Sequence, residues 1–276
     1  MLPNFLIIGS QKAGTTSLYN ILKKHPQIFM AEKKEVNFFF LDHEFRKGID
    51  YYRKFFSDIP PSKTVYGEAS PGYICHPQAP TRIKESLPNA KLILTVRNPI
   101  ERAYSQYWDK RMTLSEPQEF AQTLDTALDP TYEPGKPGYF SRGTYMQYIH
   151  RYLELIPPEQ LLVLLFDDLR DDPINFYRTC FEFLDVDPDF KVPDMDKAFN
   201  PSSVWDNPLY NWFFEHPPVQ RFLPPKLKRL VFWGNQKTFQ YPPMDKATRQ
   251  RLIEFYRPWN QELADFLEVD LSHWNK

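Results

Sequence analysis

The sequence contains little cysteine, no excess of either charge and no long apolar run. Its 276 residues include two cysteines, and 34 Lys and Arg stand against 35 Asp and Glu, which gives a formal net charge of −1 with histidine neutral. So few cysteines argue against a secreted disulfide scaffold, and we expect a cytoplasmic protein. The balanced charge argues against a protein that coats nucleic acid or heparin, so we expect no nucleic-acid partner.

We also expect no transmembrane segment, because no apolar run approaches the roughly 20 residues that cross a bilayer. Near the start, the apolar segment 6–9 is too short for a signal peptide. Hydrophobic residues make up 42% and charged residues 25% of the chain, which is typical of a globular protein and not of a disordered one. Without a repeat, a linker or an abrupt change of composition, the sequence predicts a single domain over residues 1–276.

Short apolar runs alternate with segments of helical periodicity. This alternation predicts an α/β fold with a central, mainly parallel sheet flanked by helices. Asn98 is expected to cap the helix that follows the clearest strand, and Pro99 fits its first turn. The segment 116–138 is expected to be an excursion from this alternation of strands and helices. The segment 191–241 is expected to hold only short helical pieces. We predict strands near 5–8, 64–66, 91–96 and 161–166, and helices over 15–24, from 99, from 145, over 173–184 and around 252–267.

The strongest local signal is the segment 9–17, Gly-Ser-Gln-Lys-Ala-Gly-Thr-Thr-Ser, between a predicted strand and a predicted helix. There the loop amides and the helix N-terminus converge on an anion. Gly14 permits a close backbone approach, Lys12 adds a positive charge, and the hydroxyls of residues 15–17 add donors. With the alternation of strands and helices, this loop predicts a P-loop-type three-layer domain. The alternative is a glycine turn capped by threonines.

The loop differs from that of a nucleotide triphosphatase. Thr15 stands at the usual lysine position, and the lysine comes three residues earlier, at Lys12. The strand 91–96 ends in Arg97 and not in an acidic residue. Asp167 and Asp168 follow a later strand, however, and they leave open a P-loop kinase that uses ATP and Mg²⁺.

A second anion-binding signal follows the strand 91–96. Arg97 falls at the carboxyl end of that strand, where open parallel sheets bind ligands. Ser105 falls in the second turn of the next helix, and Arg102 is close enough along the helix to share its face. Taken alone, Arg97 is typical of an exposed arginine, and Ser105 is typical of an ordinary serine in a helix. Together with the loop 9–17, they predict two anion sites on one edge of the sheet.

The two motifs together resemble those of the sulfotransferases that use 3′-phosphoadenosine 5′-phosphosulfate (PAPS). The segment 10–16 is similar to the family's 5′-phosphosulfate loop, and 96–105 is similar to its 3′-phosphate site. The resemblance implies that PAPS is the co-substrate and adenosine 3′,5′-bisphosphate the product. It further implies that Arg97 and Ser105 hold the 3′-phosphate. The residues implied for the 5′ end are Lys12, Ala13, Gly14, Thr15, Thr16 and Ser17.

Other segments extend the resemblance to heparan-sulfate-type and bacterial sulfotransferases. The segment 33–39, Lys-Lys-Glu-Val-Asn-Phe-Phe, resembles the one that carries the family's proposed base, which implies this role for Glu35. The segments 67–73 and 142–145 resemble parts of the cleft and the acceptor region, and 233–242 resembles a late loop over PAPS. The chain differs from some heparan-type enzymes at Asn37, where they have histidine, and at Ala69, where they have lysine. These segments imply acceptor contacts for Phe38, Tyr73, Arg142 and Tyr145, and PAPS contacts for Trp233 and Lys237.

The implied reaction is an in-line transfer of a sulfuryl group to an acceptor hydroxyl or amine. Because a sulfuryl group carries less charge than a terminal phosphoryl group, fixed donors can balance it, and we expect no metal. Glu35 is the expected base, or else a surface glutamate, and Lys12 is expected to meet the charge on the leaving phosphate. His76 is either a second base or a solvated loop histidine.

Two alternatives from other classes stay open on the sequence. One is the ATP- and Mg²⁺-dependent kinase, and the other is a catalytically inert PAPS-binding protein. The acceptor also stays open among a small molecule, a lipid, an acyl chain and a glycan. The aromatic stretch 205–233 is either core packing or the wall of an acceptor channel. The sequence predicts no oligomeric state.

Overall fold

The computed structural model describes most of the chain, in two compact units. Unit 1 comprises Met1–Arg97, Thr144–Phe199 and Glu262–Val269, and unit 2 comprises Asn98–Gly143, Asn200–Gln261 and Asp270–Lys276. The single domain over 1–276 stays a prediction. The described residues are 1–57, 59–116, 118–128, 138–191, 203–205, 207–216, 231–232 and 236–276.

Unit 1 is built on a five-stranded sheet in which every pair of neighbours is parallel. The strands lie in the order β2 (Ile28–Met30), β3 (Val65–Ala69), β1 (Phe5–Gly9), β4 (Lys91–Val96) and β5 (Leu161–Leu165). Strand β1 is buried along its whole length, as its uninterrupted apolar sequence predicts. The β5 edge strand is only partly buried.

Helices lie against this sheet. The apolar side chains of α1 (Thr15–Lys24) and α9 (Pro173–Phe183) form one core with Phe5, Ile7 and Ile93 of the sheet. A 3₁₀ turn at Tyr73–Cys75 contacts β1 and two helices, α4 (Ala79–Ser86) and α7 (Tyr145–Leu153). The other helices of unit 1 are α2 (Asp42–Phe45), α3 (Ile49–Arg53), α4 (Ala79–Ser86), α7 (Tyr145–Leu153) and α8 (Phe166–Asp171).

Unit 2 contains the helix that follows β4. Asn98 caps this helix as expected, since its Oδ1 accepts a hydrogen bond of 3.0 Å from the Ile100 N–H. Its apolar side packs with Phe120, Leu124, Leu252 and other buried residues. The elements are α5 (Pro99–Met112), α6 (Phe120–Leu128), β6 (Ser203–Trp205), α10 (Pro208–Glu215), β7 (Gln236–Thr238) and α11 (Lys246–Leu267), of which α11 continues into unit 1.

The predicted α/β class and the parallel central sheet are confirmed. Some details differ from the sequence analysis. The predicted excursion 116–138 contains the helix α6, Phe166 begins α8 and does not end β5, and the stretch 191–241 includes an antiparallel pair of short strands, β6 and β7. Among the helices that the structure describes, none is both long and apolar enough to cross a membrane.

Candidate active site

The loop after β1 lies at the point where the sheet order reverses. The chain builds β2 and β3 on one side of β1 and then crosses to β4 on the other. Open parallel sheets bind ligands at the carboxyl edge of such a point. Ser10 fastens the loop there, because its N–H and its hydroxyl both donate to the Thr95 carbonyl, at 2.8 and 2.9 Å. The Thr95 hydroxyl donates in turn to the Gly9 carbonyl at 3.1 Å.

Gly14 ends this loop in a backbone conformation that suits glycine. Its φ is +83°, and a Cβ placed on it would lie 2.6 Å from Cδ2 of Leu169 and 3.0 Å from Cδ2 of Phe166. Lys12 also has a positive φ, +68°. The first helical hydrogen bond of α1 runs from the Leu18 N–H to the Gly14 carbonyl. The preceding amides of the first turn therefore have no acceptor within the helix, and they form its positive end.

Arg97 lies against the loop 9–17. Its Nη1 donates a hydrogen bond of 3.2 Å to the Lys12 carbonyl, and its guanidinium packs 4.9 Å from the centre of the Phe166 ring. Tyr145 holds the Arg97 backbone, because its hydroxyl donates to the Arg97 carbonyl at 2.7 Å and accepts from the Arg97 N–H at 3.3 Å. The arginine at the end of β4 and the loop at the end of β1 are thus neighbours.

Lys34 reaches the same loop from the segment after β2. Its ammonium donates a hydrogen bond of 3.1 Å to Oγ1 of Thr16, in the first turn of α1. Burial lowers the pKa of Lys34, and the carboxylate of Glu35 partly offsets this. Glu35 itself is half-buried. The segment that carries the predicted base is therefore attached to the predicted anion loop by a neighbouring lysine.

Glu68, near the end of β3, is a fully buried carboxyl that accepts three hydroxyl hydrogen bonds. Tyr73 and Tyr52 donate to its Oε1 at 2.5 and 3.2 Å, and Ser70 donates to its Oε2 at 2.7 Å. Burial raises the pKa of Glu68 to about 7, the charge of Glu35 adds to the rise, and the hydroxyls oppose it. Glu68 therefore keeps its proton to a higher pH than an exposed glutamate does.

Glu68 also fixes the residues that follow Glu35. The Asn37 N–H donates to Oγ of Ser70 at 2.9 Å, and the Phe39 N–H donates to the Tyr73 hydroxyl at 3.4 Å. Both hydroxyls donate onward to the Glu68 carboxylate. One buried carboxyl thus holds two backbone amides of the segment 35–39 through two hydroxyls.

Comparison with known proteins identifies the family. The sulfotransferase domain family matches residues 2–211. The chain belongs to the sulfotransferase family. The sulfotransferase is 31% identical over 280 residues to the human bifunctional heparan sulfate N-deacetylase/N-sulfotransferase 3, a match that covers 96% of this chain and 30% of that protein. The mouse N-deacetylase/N-sulfotransferase 1 is 33% identical over 279 residues, covering 96% of this chain and 29% of that protein.

The fold of this sulfotransferase agrees with a solved sulfotransferase structure. The crystal structure of a sulfotransferase from Alicyclobacillus acidocaldarius matches with a TM-score of 0.74 and 27% identity, over the full length of both chains. The chain spans about 30% of the length of the curated relatives named above. The resemblance to PAPS-dependent sulfotransferases and the P-loop-type fold are confirmed, and the kinase alternative is set aside.

Some predicted site residues of the sulfotransferase lie in unit 2 or outside the described residues. Ser105 is buried in unit 2, where its hydroxyl lies 3.4 Å from that of Tyr241. Arg142 is half-buried in the same unit, and Lys237 is exposed on β7. Trp233 lies outside the described residues. The 3′-phosphate site of Arg97 with Ser105, and the PAPS contacts of Lys237 and Trp233, stay predictions.

Three predicted residues of unit 1 have structural partners. Phe38 and Tyr73 are buried, and the Phe38 ring stacks on Tyr52 with 4.5 Å between ring centres. His76 follows the 3₁₀ turn, its Nδ1 accepts from the Gln78 N–H at 3.3 Å, and burial lowers its pKa. The burial and contacts of Phe38 and Tyr73 favour a structural role for both residues, in holding the segment around Glu35. Their acceptor contacts, and a catalytic role for His76, stay predictions.

The sequence analysis gave no role to Lys34 or Glu68, although both lie at this site. A signal for Glu68 was present, because an acidic residue among the apolar residues of a central strand is rarely buried without partners. Its strand neighbour is Leu6 of β1. Lys34 had no such signal, since two adjacent lysines in a loop are typical of an exposed surface.

Proposed function

We propose that this sulfotransferase transfers a sulfuryl group from PAPS to a hydroxyl or amine of an acceptor, without a metal and with Glu35 as the base. The observation that carries the proposal is the hydrogen bond from Nη1 of Arg97 to the Lys12 carbonyl. It joins the cation at the end of β4 to the anion loop at the end of β1. An adenylate with negative groups at two positions suits two such adjoining elements.

The chemistry of the side chains fits an anionic donor group. Lys12, Lys34 and Arg97 supply positive charge, and the first turn of α1 supplies backbone N–H groups and the hydroxyls of residues 15–17. Such fixed donors stabilise charge that develops in a transition state without having to reorganise. Lys12 and the first turn of α1 would hold the 5′-phosphosulfate.

The proposed reaction assigns one proton transfer to the chain. PAPS supplies the sulfuryl group: its sulfur forms a bond to the acceptor oxygen or nitrogen as the bond to the 5′-phosphate oxygen breaks, leaving adenosine 3′,5′-bisphosphate. The Glu35 carboxylate takes the proton from the acceptor hydroxyl or amine. Lys12 balances the charge on the leaving phosphate. The hydrogen bonds of Asn37 and Phe39 to the Glu68 group keep the segment behind Glu35 in place.

The relatives guide the choice of acceptor. Those named above carry the description heparan sulfate N-sulfotransferase. A glycan with free amino groups is therefore the first acceptor to test, followed by hydroxyl acceptors from lipids, acyl chains and small molecules. The cytoplasmic location expected from the sequence remains part of the proposal.

A transfer assay tests the function and the base together. We expect label to pass from [³⁵S]PAPS to an acceptor in the presence of excess EDTA. Glu35→Gln should lower kcat by about 100-fold or more, whereas Glu32→Gln, an exposed neighbour, should leave it unchanged. Lys12→Ala should lower kcat more than it raises the KM for the acceptor. Normal donor binding with no turnover on any acceptor would favour the catalytically inert alternative.

A binding assay tests the donor independently of the acceptor. We expect adenosine 3′,5′-bisphosphate to raise the thermal midpoint of the wild type. A ligand at 100 times its Kd adds about 2.7 kcal/mol of apparent stability. ATP should give a smaller shift, with or without Mg²⁺. A larger shift from ATP with Mg²⁺ would contradict the proposed donor.

A further inference from the structure

The ammonium of Lys34 lies in an electrostatically unfavourable place. It is mostly buried, and its described hydrogen-bond partner is the neutral hydroxyl of Thr16, in the first turn of α1. A helix N-terminus carries partial positive charge, so a second positive charge beside it is destabilising. The carboxylate of the adjacent Glu35 offsets only in part the effect of burial on the pKa of Lys34. A bound anion would remove this conflict.

The chain position of Lys34 indicates which part of the donor it contacts. Thr16 belongs to the loop proposed to hold the 5′-phosphosulfate, and Glu35, the proposed base, is the next residue. The base must approach the acceptor atom that attacks the sulfur. A lysine between the loop and the base therefore lies on the side of the reacting sulfuryl group. An ammonium has three N–H donors, so donation to Thr16 leaves others for a sulfuryl oxygen.

We propose that Lys34 is a further donor-binding residue, whose ammonium binds the sulfuryl oxygens of PAPS and links the segment of the base to the phosphosulfate loop. This inference rests on the proposed function, because it requires PAPS as the donor. Lys34 and Lys12 then have different roles. Lys12 contacts the 5′-phosphate, which PAPS and its product share, whereas Lys34 contacts the sulfuryl group, which the product lacks. The lowered pKa of Lys34 agrees with an ammonium that is incompletely compensated in the free protein.

The comparison of two ligands tests the inference. Binding of PAPS without acceptor, and of adenosine 3′,5′-bisphosphate, would be measured by titration calorimetry for the wild type, Lys34→Met and Lys34→Arg. We expect Lys34→Met to weaken PAPS binding by about tenfold, as the loss of a charged hydrogen bond does, with less than about a twofold change for the product. Lys34→Arg, which keeps the charge, should retain most of the PAPS affinity.

Lys33→Met is the matched control. Lys33 is the exposed neighbour, and its ammonium lies over the Phe55 ring at 5.4 Å from the centre. This variant should bind both ligands like the wild type. Equal losses for PAPS and product in Lys34→Met, or no loss for either, would overturn the inference while leaving the proposed function intact. If the wild type binds neither ligand, the proposed function fails and the inference fails with it. Should Lys34→Met not fold, Lys34→Gln would be measured in its place.

Discussion

The Tyr73 hydroxyl donates a hydrogen bond of 2.5 Å to the buried carboxylate of Glu68. The same hydroxyl accepts the N–H of Phe39, and Ser70 makes the equivalent pair of contacts with Glu68 and Asn37. An ionised carboxylate can only accept, so it directs both hydroxyl protons toward itself and leaves their lone pairs for the two amides. The ionisation of Glu68 is therefore coupled to the order of the segment 35–39.

Glu68→Gln should change how stability depends on pH. Because the pKa of Glu68 rises to about 7 in the folded protein, folding favours the protonated carboxyl. Its contribution to stability is complete below the unfolded pKa, near 4.5, and is lost as the pH rises through about 7. The loss is on the order of 3 kcal/mol. In denaturant titrations from pH 5 to 8, the wild type should lose stability relative to Glu68→Gln as the pH rises.

Glu85→Gln serves as the control for that titration, because Glu85 is exposed. It is measured over the same pH range. A Glu68→Gln difference that is constant with pH would show that the carboxyl does not titrate as its burial requires.

Gly14→Ala should lower both stability and donor affinity. Alanine at a φ of +83° costs about 1–2 kcal/mol, and its Cβ would press on Leu169 at 2.6 Å. Because Gly14 sets the path of the loop into α1, we expect weaker binding of adenosine 3′,5′-bisphosphate in a calorimetric titration. The double variant Gly14→Ala/Leu169→Ala should lose the close contact between the new Cβ and residue 169 but keep the backbone strain at residue 14.

Gly48→Ala provides the matched comparison. Gly48 has a φ of +81°, and a Cβ there would meet nothing within 4 Å. Gly48→Ala should therefore lower the free energy of unfolding without changing the affinity for adenosine 3′,5′-bisphosphate. Equal donor affinities for Gly14→Ala and the wild type would contradict the role of this turn in the anion loop.

The sequence predicted the parts of the fold that depend on local pattern. The loop 9–17, the helix over 15–24, the strand 91–96 and the cap at Asn98 are set by neighbouring residues, and the structure has them as predicted. The strand β2 was missed, because three residues are too few to show a period. Arg97 was expected near the loop from the general rule for parallel strands.

The missed site residues depend on long-range contacts. Lys34 reaches Thr16, 18 positions earlier in the chain, and nothing in the segment 33–35 distinguishes its direction from that of Lys33. The hydrogen bonds of the Glu68 carboxyl come from Tyr52, which lies in α3, and from Tyr73, which lies in a 3₁₀ turn. Such contacts follow from the order of strands in the sheet, which a single sequence leaves open.

Tyr145→Phe should weaken donor binding through Arg97. Removing the hydroxyl breaks its hydrogen bonds to the Arg97 carbonyl and N–H. Without them, the guanidinium is held less firmly against the Lys12 carbonyl. We expect the KM for PAPS to rise by about threefold to tenfold, with the KM for the acceptor unchanged.

Tyr148→Phe, on the same helix, is the comparison for this variant. Tyr148 is also buried, and the Arg151 guanidinium lies 5.7 Å from its ring centre. Its donor KM should match the wild type. An acceptor KM that changes in Tyr145→Phe, with the donor KM constant, would instead assign Tyr145 to the acceptor, as the sequence analysis predicts.

His25→Asn should remove a loss of stability at acid pH. His25 follows α1 and is buried against Phe181 and Phe190, with 4.7 Å between ring centres in each pair. Its Nδ1 accepts from the Gln27 N–H at 3.1 Å. The ring proton is therefore on Nε2, which lies 3.1 Å from the Asp187 carbonyl. Protonation of Nδ1 would break the first of these hydrogen bonds.

Burial is the main cause that lowers the pKa of His25, with Lys63 adding to it and Asp187 opposing it. Because the unfolded chain takes up the proton first, His25 contributes its full stability above the unfolded pKa, about 6.5. That contribution declines as the pH falls through the lowered folded pKa. The contribution of His25 to stability rises with pH, whereas that of Glu68 falls. Because the two trends oppose each other in the wild type, each residue must be measured as a difference between its variant and the wild type. In denaturant titrations at pH 5.5 and 8, His25→Asn should be closer to the wild type at pH 5.5. His43→Asn, at an exposed position, is measured in the same way as the control. An equal His25→Asn difference at both pH values would contradict a lowered pKa for His25 in the folded protein.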